Sequence, residues 1–121
     1  MQAICIHQGK IRKVSALAVK DSVPIYKEEL SMLDQTEKSR IAIYIEKISD
    51  SRFPVYNKTI SKKLTGSKHI YELRPLPVRL FFFMVHNDIV ITHGFVKKKN
   101  KTDKAEIERA EQLRKTFLRG E

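Results

Sequence analysis

At 121 residues, 41% of them hydrophobic, the chain is long enough for one core but not two, so a single domain spanning residues 1–121 is expected. Its one cysteine, Cys5, excludes an internal disulfide and a Cys-rich metal site, and no apolar run approaches a membrane span; the chain therefore reads as cytoplasmic, untargeted and membrane-free. The net charge of +10 is unevenly placed: residues 1–57 carry 9 Lys/Arg against 7 Asp/Glu, residues 58–101 carry 10 against 2, and residues 102–121 carry 5 of each, so the positive field is local and points to a polyanion such as nucleic acid.

The first twenty residues leave two readings open. Ala3 to His7 suits a strand and Gly9 a turn, while Ile11 to Val19 suits either a strand or a helix. Ser22 and Pro24 then mark a helix start, with Ile25, Leu30 and Leu33 as its apolar stripe. Asp34 is placed to cap a second helix and Glu37 to complete a capping box. Ile41, Tyr44, Ile45 and Ile48 recur at the spacing of a core-facing helix, which Asp50-Ser51 and Phe53-Pro54 end.

Beyond residue 60 the period changes. Short strands are expected at Ile70–Arg74, Val78–Val85 and Ile89–Val96, the last two joined by a tight turn at His86-Asn87-Asp88. The run from Val78 to Val85 is apolar on both faces apart from Arg79, as in a central strand covered on both sides. A final helix begins at Thr102, capped by Thr102 or Asp103, with Glu106 in its first turn and Ile107, Ala110, Leu113 and Phe117 as its buried stripe. N-terminal helices, an antiparallel β-meander and a C-terminal helix make an α+β domain.

Two features carry chemistry. The turn after the third strand holds Lys97, Lys98, Lys99 and Lys101 within five residues, a density of charge suited to phosphate. Alternation puts Ile70, Glu72 and Arg74 on one face of their strand and Tyr71 and Leu73 on the other. If the second and third strands pair through the turn at residues 86–88, Arg79 lies opposite the end of the third strand, bringing Arg74, Arg79 and the lysines together. Such a face could hold a backbone phosphate or stabilise the charge of a phosphorane-like transition state. Glu72 and Arg74 could equally form a surface ion pair on an edge strand, worth little. Arg79 interrupts an apolar strand and needs a partner or a ligand. His93 alternates with Ile89, Ile91 and Phe95 and is expected to face the apolar layer; His7 and His86 read as surface residues. No metal-ligand spacing, Gly-rich phosphate loop or nucleophile elbow occurs, so neither metal nor cofactor is expected.

The segments Tyr71-Glu72-Leu73-Arg74, Val78-Arg79-Leu80-Phe81-Phe82, His93-Gly94-Phe95-Val96-Lys97-Lys98 and Lys101-Thr102 together resemble the phage-derived, HigB-like branch of the RelE/ParE toxin superfamily. In that branch a Tyr-Glu-Leu-Arg strand precedes an arginine-led aromatic strand, and a His-Gly-Phe segment rich in lysine opens the last helix. The likeness covers residues 60 to 117 closely and the two N-terminal helices loosely. Asp103 stands where the family usually has proline, and Pro75-Leu76-Pro77 replaces a more polar turn.

The resemblance implies a RelE-like fold and the toxin of a type II toxin–antitoxin pair, cutting mRNA in the ribosome without metal by attack of the ribose 2′-OH on the adjacent phosphate. Its partners would be a helix-turn-helix antitoxin, the ribosome and mRNA. Carried over by position, Arg79 would stabilise the phosphate and Arg74 would orient it. Lys98 or Lys101 would transfer a proton or neutralise charge, and Glu72 is a possible base. Lys97, Lys99, Lys62, Lys63 and His69 would contact RNA. Two alternatives are a non-enzymatic topoisomerase inhibitor of the ParE type and a phage nucleic-acid-binding accessory protein.

Overall fold

The computed structural model describes residues 1–19, 23–52, 60–98 and 104–120. The two readings of the first twenty residues resolve into a hairpin: β1 (Gln2–Gln8) pairs antiparallel with β2 (Lys13–Ala18). The choice of strand over helix follows from burial on both sides. Val14 and Ala16 point into one core cluster and Leu17 into another, the alternation of a strand with a layer on each face. Gly9 turns the chain where any Cβ would meet the Ser49 side chain, at 2.3 Å from its Oγ.

Pro24 occupies the N-cap of α1 (Ile25–Glu29), which is a single turn rather than the longer helix expected. Leu30 and Leu33 lie beyond its end and enter one core cluster, whereas Ile25 packs in the other, so the three do not form one helical stripe. The helix α2 (Gln35–Asp50) begins with the expected capping box: Asp34 accepts from the Glu37 amide at 2.8 Å, and Glu37 accepts from the Asp34 amide at 3.2 Å. Its residues Ile41, Ile45 and Ile48 are buried, Tyr44 packs beside them, and Ser51 is the C-cap. Ser22 and Phe53-Pro54, expected at helix boundaries, lie outside the described residues.

The sheet is completed by β3 (Ser61–Lys63), β4 (Tyr71–Leu73), β5 (Val78–Val85) and β6 (Asp88–Val96), in the order β1-β2-β6-β5-β4-β3. The meander is therefore part of a six-stranded mixed sheet, because β2 runs parallel to β6 while the other neighbours are antiparallel. β5 and β6 join through a turn in which His86 takes a left-handed conformation (φ 56°).

The helices α1 and α2 cover one face of the sheet over Val14, Leu73, Leu80, Phe82, Ile89 and Ile91. On the other face, α3 (Lys104–Leu118) lays Ala110, Ile107, Leu113 and Phe117 over Ile70, Phe81 and Phe83. Thr102 and Asp103, expected as its cap, fall outside the described residues. None of the described helices is long and apolar enough to cross a membrane.

A β-bulge alters the expected phase of β6. The pairing shifts between Phe81↔His93 and Phe82↔Ile91, inserting Thr92 as the extra residue. Ile89 and Ile91 consequently face α1 and α2, while His93 and Phe95 pack with Phe81 on the α3 side. His93 is core-facing as expected, but not in the same layer as the two isoleucines.

Candidate nucleic-acid interface

The end of the sheet where β4 and β6 finish and β5 starts gathers the cations. β5 and β6 pair Val78 with Val96 and Arg79 with Phe95, and the Lys97 amide continues the ladder by donating to the Pro77 carbonyl at 2.9 Å. β4 adds Glu72, whose neighbours across the ladders are Phe81 on one side and Lys62 on the other. The Arg74 amide donates to the Ile60 carbonyl at 2.8 Å and the Val78 amide to Pro75 at 2.9 Å, fixing both ends of the proline connection. By strand alternation, Lys62, Glu72, Arg74, Arg79 and Lys97 all belong to the sheet face that α3 covers further along.

At the centre is a buried ion pair. Arg79 Nε lies 2.5 Å from Glu72 Oε1, with side-chain exposures of 5% and 0%, and an Arg79 terminal nitrogen donates to the Val78 carbonyl at 3.0 Å. The contact is one of charge rather than an aligned hydrogen bond: neither Glu72 oxygen, nor Arg79 Nε, has a partner of hydrogen-bonding geometry among the described residues. The expectation that Arg79 needs a partner is met by Glu72. The alternative of a Glu72–Arg74 surface pair on an edge strand does not describe this carboxylate, because β4 lies between β3 and β5 and Glu72 is fully buried.

Around that pair the other cations are more accessible. Lys62, Arg74 and Lys97 are half-buried and Lys98 is exposed. Burial lowers the Lys97 pKa from the ordinary lysine value; Glu72 opposes this, while Arg79, Lys62 and Arg74 add to it. All four residues therefore act on the Lys97 ammonium. The described cluster, Lys62, Arg74, Arg79 and Lys97 against Glu72, has three more positive charges than negative. Two grooves lined by described residues lie elsewhere, one between β1, α1 and α2 and one beside α3.

The structure separates other residues expected at the site. Lys63 pairs with Tyr71, so strand alternation turns it to the face opposite Lys62. His69 lies in the loop at the far end of β4, its Nδ1 3.4 Å from a Glu111 carboxylate oxygen on α3. Lys99 and Lys101 are outside the described residues. Of the residues given roles in phosphate chemistry, Glu72 is fully buried against the Arg79 guanidinium, and Arg79 is itself almost wholly enclosed. Lys97, expected among the RNA contacts, lies two residues beyond Phe95, the partner of Arg79 across the ladder. That Arg79, Lys62 and Arg74 all lower its pKa depends on strand pairings that no single segment of sequence displays.

A separate polar chain pins α3 beside this face. His93 Nε2 is 3.1 Å from Glu106 Oε1, and its Nδ1 is 3.1 Å from the Thr92 hydroxyl. Burial, reinforced by Arg109 and opposed by Glu29, pushes the His93 pKa down to about 4, so the ring is neutral near pH 7. In that form Nε2–H donates to the Glu106 carboxylate, while the Thr92 hydroxyl beside Nδ1 donates to the Phe81 carbonyl at 3.2 Å. Arg109 also donates to Glu29 at 2.5 Å, linking α3 to α1.

Comparison with known proteins gives two findings. The family model described as phage-derived protein Gp49-like matches residues 28–115. Among solved structures, the chain is similar to one in the crystal structure of the RelB-RelE antitoxin-toxin complex from Methanococcus jannaschii, at 18% identity and a TM-score of 0.49, covering 59% of this chain and 82% of that one. No curated protein sequence matches.

Proposed function

We propose that this chain, which belongs to the phage-derived Gp49-like family, a RelE/toxin-like family, is the toxin of a type II toxin–antitoxin pair and a ribosome-dependent mRNA endoribonuclease of HigB-like type. It would act in the cytoplasm, with a helix-turn-helix antitoxin as its cognate partner. The observation that carries the reading is the group of cations around the Glu72–Arg79 pair, with a lysine of lowered pKa among them.

The chemistry needs no metal. The ribose 2′-OH loses its proton and attacks the adjacent phosphorus, the bond to the 5′-oxygen breaks, and that oxygen takes up a proton, leaving a 2′,3′-cyclic phosphate and a free 5′-OH. Arg74 and Lys62 are the accessible groups for the non-bridging oxygens, where negative charge builds in the transition state. Lys97 is the proton-transfer group in this scheme, because it is the half-buried ammonium at the strand end beside Arg74, Arg79 and Lys62, whose charges act on it. Arg79 acts from beneath as a fixed charge, and Glu72 holds it in place. Lys98, together with Lys99 and Lys101, supplies charge for the approach of RNA.

Induced expression should arrest growth, and primer extension on cellular mRNA should reveal new 5′ ends, with cutting in a purified translation system persisting in chelator. Lys97→Ala should lower cleavage by about 100-fold or more, the scale of a general acid–base group, and leave the circular dichroism spectrum unchanged. Growth arrest with intact mRNA and inhibited gyrase supercoiling would sink the nuclease reading in favour of topoisomerase inhibition. RNA binding that falls with salt and never leads to cutting would leave only a binding protein.

A further inference from the structure

On the other face of the sheet, and at its other edge, lies a groove of about 480 Å³ between β1, α1 and α2. Its apolar wall is formed by Ile6, Tyr26, Leu30, Ile41, Ala42 and Ile45. Lys27, Lys38 and His7 also line it, and no carboxylate does. Ala42, Lys27 and Lys38 are exposed, and Met32, next to Ser31 at the groove, is 73% exposed. Burial within this region raises the Tyr26 pKa to about 12, so its phenol stays neutral and adds no negative charge.

We propose that this groove docks a segment of a partner protein that is amphipathic and acidic, placing apolar side chains against Leu30, Ala42 and Ile45 and carboxylates beside Lys27 and Lys38. The charge on the walls selects the occupant: two lysines and no acid favour a segment carrying Asp or Glu. The apolar floor argues against a nucleic-acid strand, whose phosphates would gain nothing from desolvation against isoleucine and leucine. A helix-in-groove contact of apolar anchors with a charged rim matches both features. β1 is an edge strand on the opposite side of the sheet from β3. A partner seated here would therefore leave the Lys62–Arg74–Lys97 surface open. This interaction does not depend on the chain being a nuclease.

The probe is a fluorescein-labelled peptide of about 18 residues, roughly five helical turns, built from Leu, Ala and Glu with leucines on one face. Its counterpart carries Lys in place of Glu. Binding to the full chain is followed by anisotropy and mapped by ¹⁵N NMR. The acidic peptide should bind, shift the amides of Ile6, Ile41, Ala42 and Ile45, and outcompete the lysine peptide by at least tenfold. Ala42→Trp, which fills the groove from an exposed helical position, should weaken binding roughly tenfold, equivalent to about 1.4 kcal/mol; Lys38→Glu should weaken it as well.

Because an acidic peptide is also drawn to the cationic cluster, the same titration is run on a Lys62→Gln/Lys97→Gln chain, where the groove shifts should persist. Failure of the acidic peptide to bind would overturn the proposal, as would shifts confined to residues 60–98, or affinity indifferent to Ala42→Trp. The readout is binding and not growth, so an inactive toxin would leave this result standing.

Discussion

At the scale of single residues, the cluster is built around two buried groups, Glu72 and Arg79. Glu72 is fully buried against Arg79, and a guanidinium stripped of its countercharge in an enclosed site is strongly destabilising. Glu72→Gln should therefore cost about 3–5 kcal/mol of unfolding free energy, the usual penalty for breaking a buried pair by removing one partner. Combining it with Arg79→Met should recover much of that loss, because the orphaned charge is gone. Urea denaturation of the single and double variants measures both. His93 gives a prediction with a defined pH window. The folded protein keeps the ring neutral down to about pH 4, whereas an ordinary histidine takes up its proton near 6.5. Between those values the unfolded chain binds the extra proton, so stability is fully present above pH 6.5 and declines as pH falls towards 4. The contribution lost between pH 7 and pH 5 is roughly 2 kcal/mol. Denaturation midpoints of wild type and His93→Gln at the two pH values should differ by that amount in their pH response. An equal response would mean that His93 is not the group involved. Arg79 was legible in the sequence as a charge requiring a partner, because it stands alone in an apolar run. That the partner would be Glu72 was not legible, since the contact depends on register across two strands.

At the scale of elements, α2 was legible down to its first hydrogen bonds, because a capping box and an apolar repeat are both local patterns. Removing the cap by Asp34→Ala should cost about 1 kcal/mol, read from a thermal or urea midpoint. A loss near zero would mean that packing of Ile41, Ile45 and Ile48 alone fixes the start of the helix. β5 and β6 were legible for the same reason, being long and strongly apolar. β3 was not, because Ser61-Lys62-Lys63 has no apolar alternation and is a strand only through its pairing with β4. β2 carries a run of small and apolar residues that suits a helix equally well, and only the layers on its two sides decide the matter. The bulge at Thr92 was invisible for a related reason. One inserted residue changes which face His93 takes, and that residue is identified only by the partner strand.

At the scale of the whole molecule, the charge asymmetry of the sequence becomes a geometric one. The basic segment from residue 58 to 101 supplies β3 to β6, and the cations gather at one end of that half of the sheet, while the hairpin, α1 and α2 build the opposite edge around an apolar groove. A localised field makes a quantitative demand on RNA binding. Each phosphate neutralised by the protein releases condensed counterions, so the logarithm of the binding constant falls with the logarithm of salt by about 0.7 per contact on a single strand. Lys62→Ala and Arg74→Ala should each reduce that slope by about 0.7. Lys47→Ala removes a charge of the same sign from the exposed side of α2, where the ammonium lies 5.7 Å from the Tyr44 ring centroid, and should leave the slope unchanged. The ligand is an RNA oligonucleotide with 2′-O-methyl groups throughout, which retains the phosphates but cannot supply the attacking hydroxyl, so binding is measured apart from cutting. Equal slope changes for Lys47 and Lys62 would mean that RNA responds to net charge alone. A slope that falls only for the residues beside Lys97 would tie recognition to the surface where the β4, β5 and β6 strand ends meet.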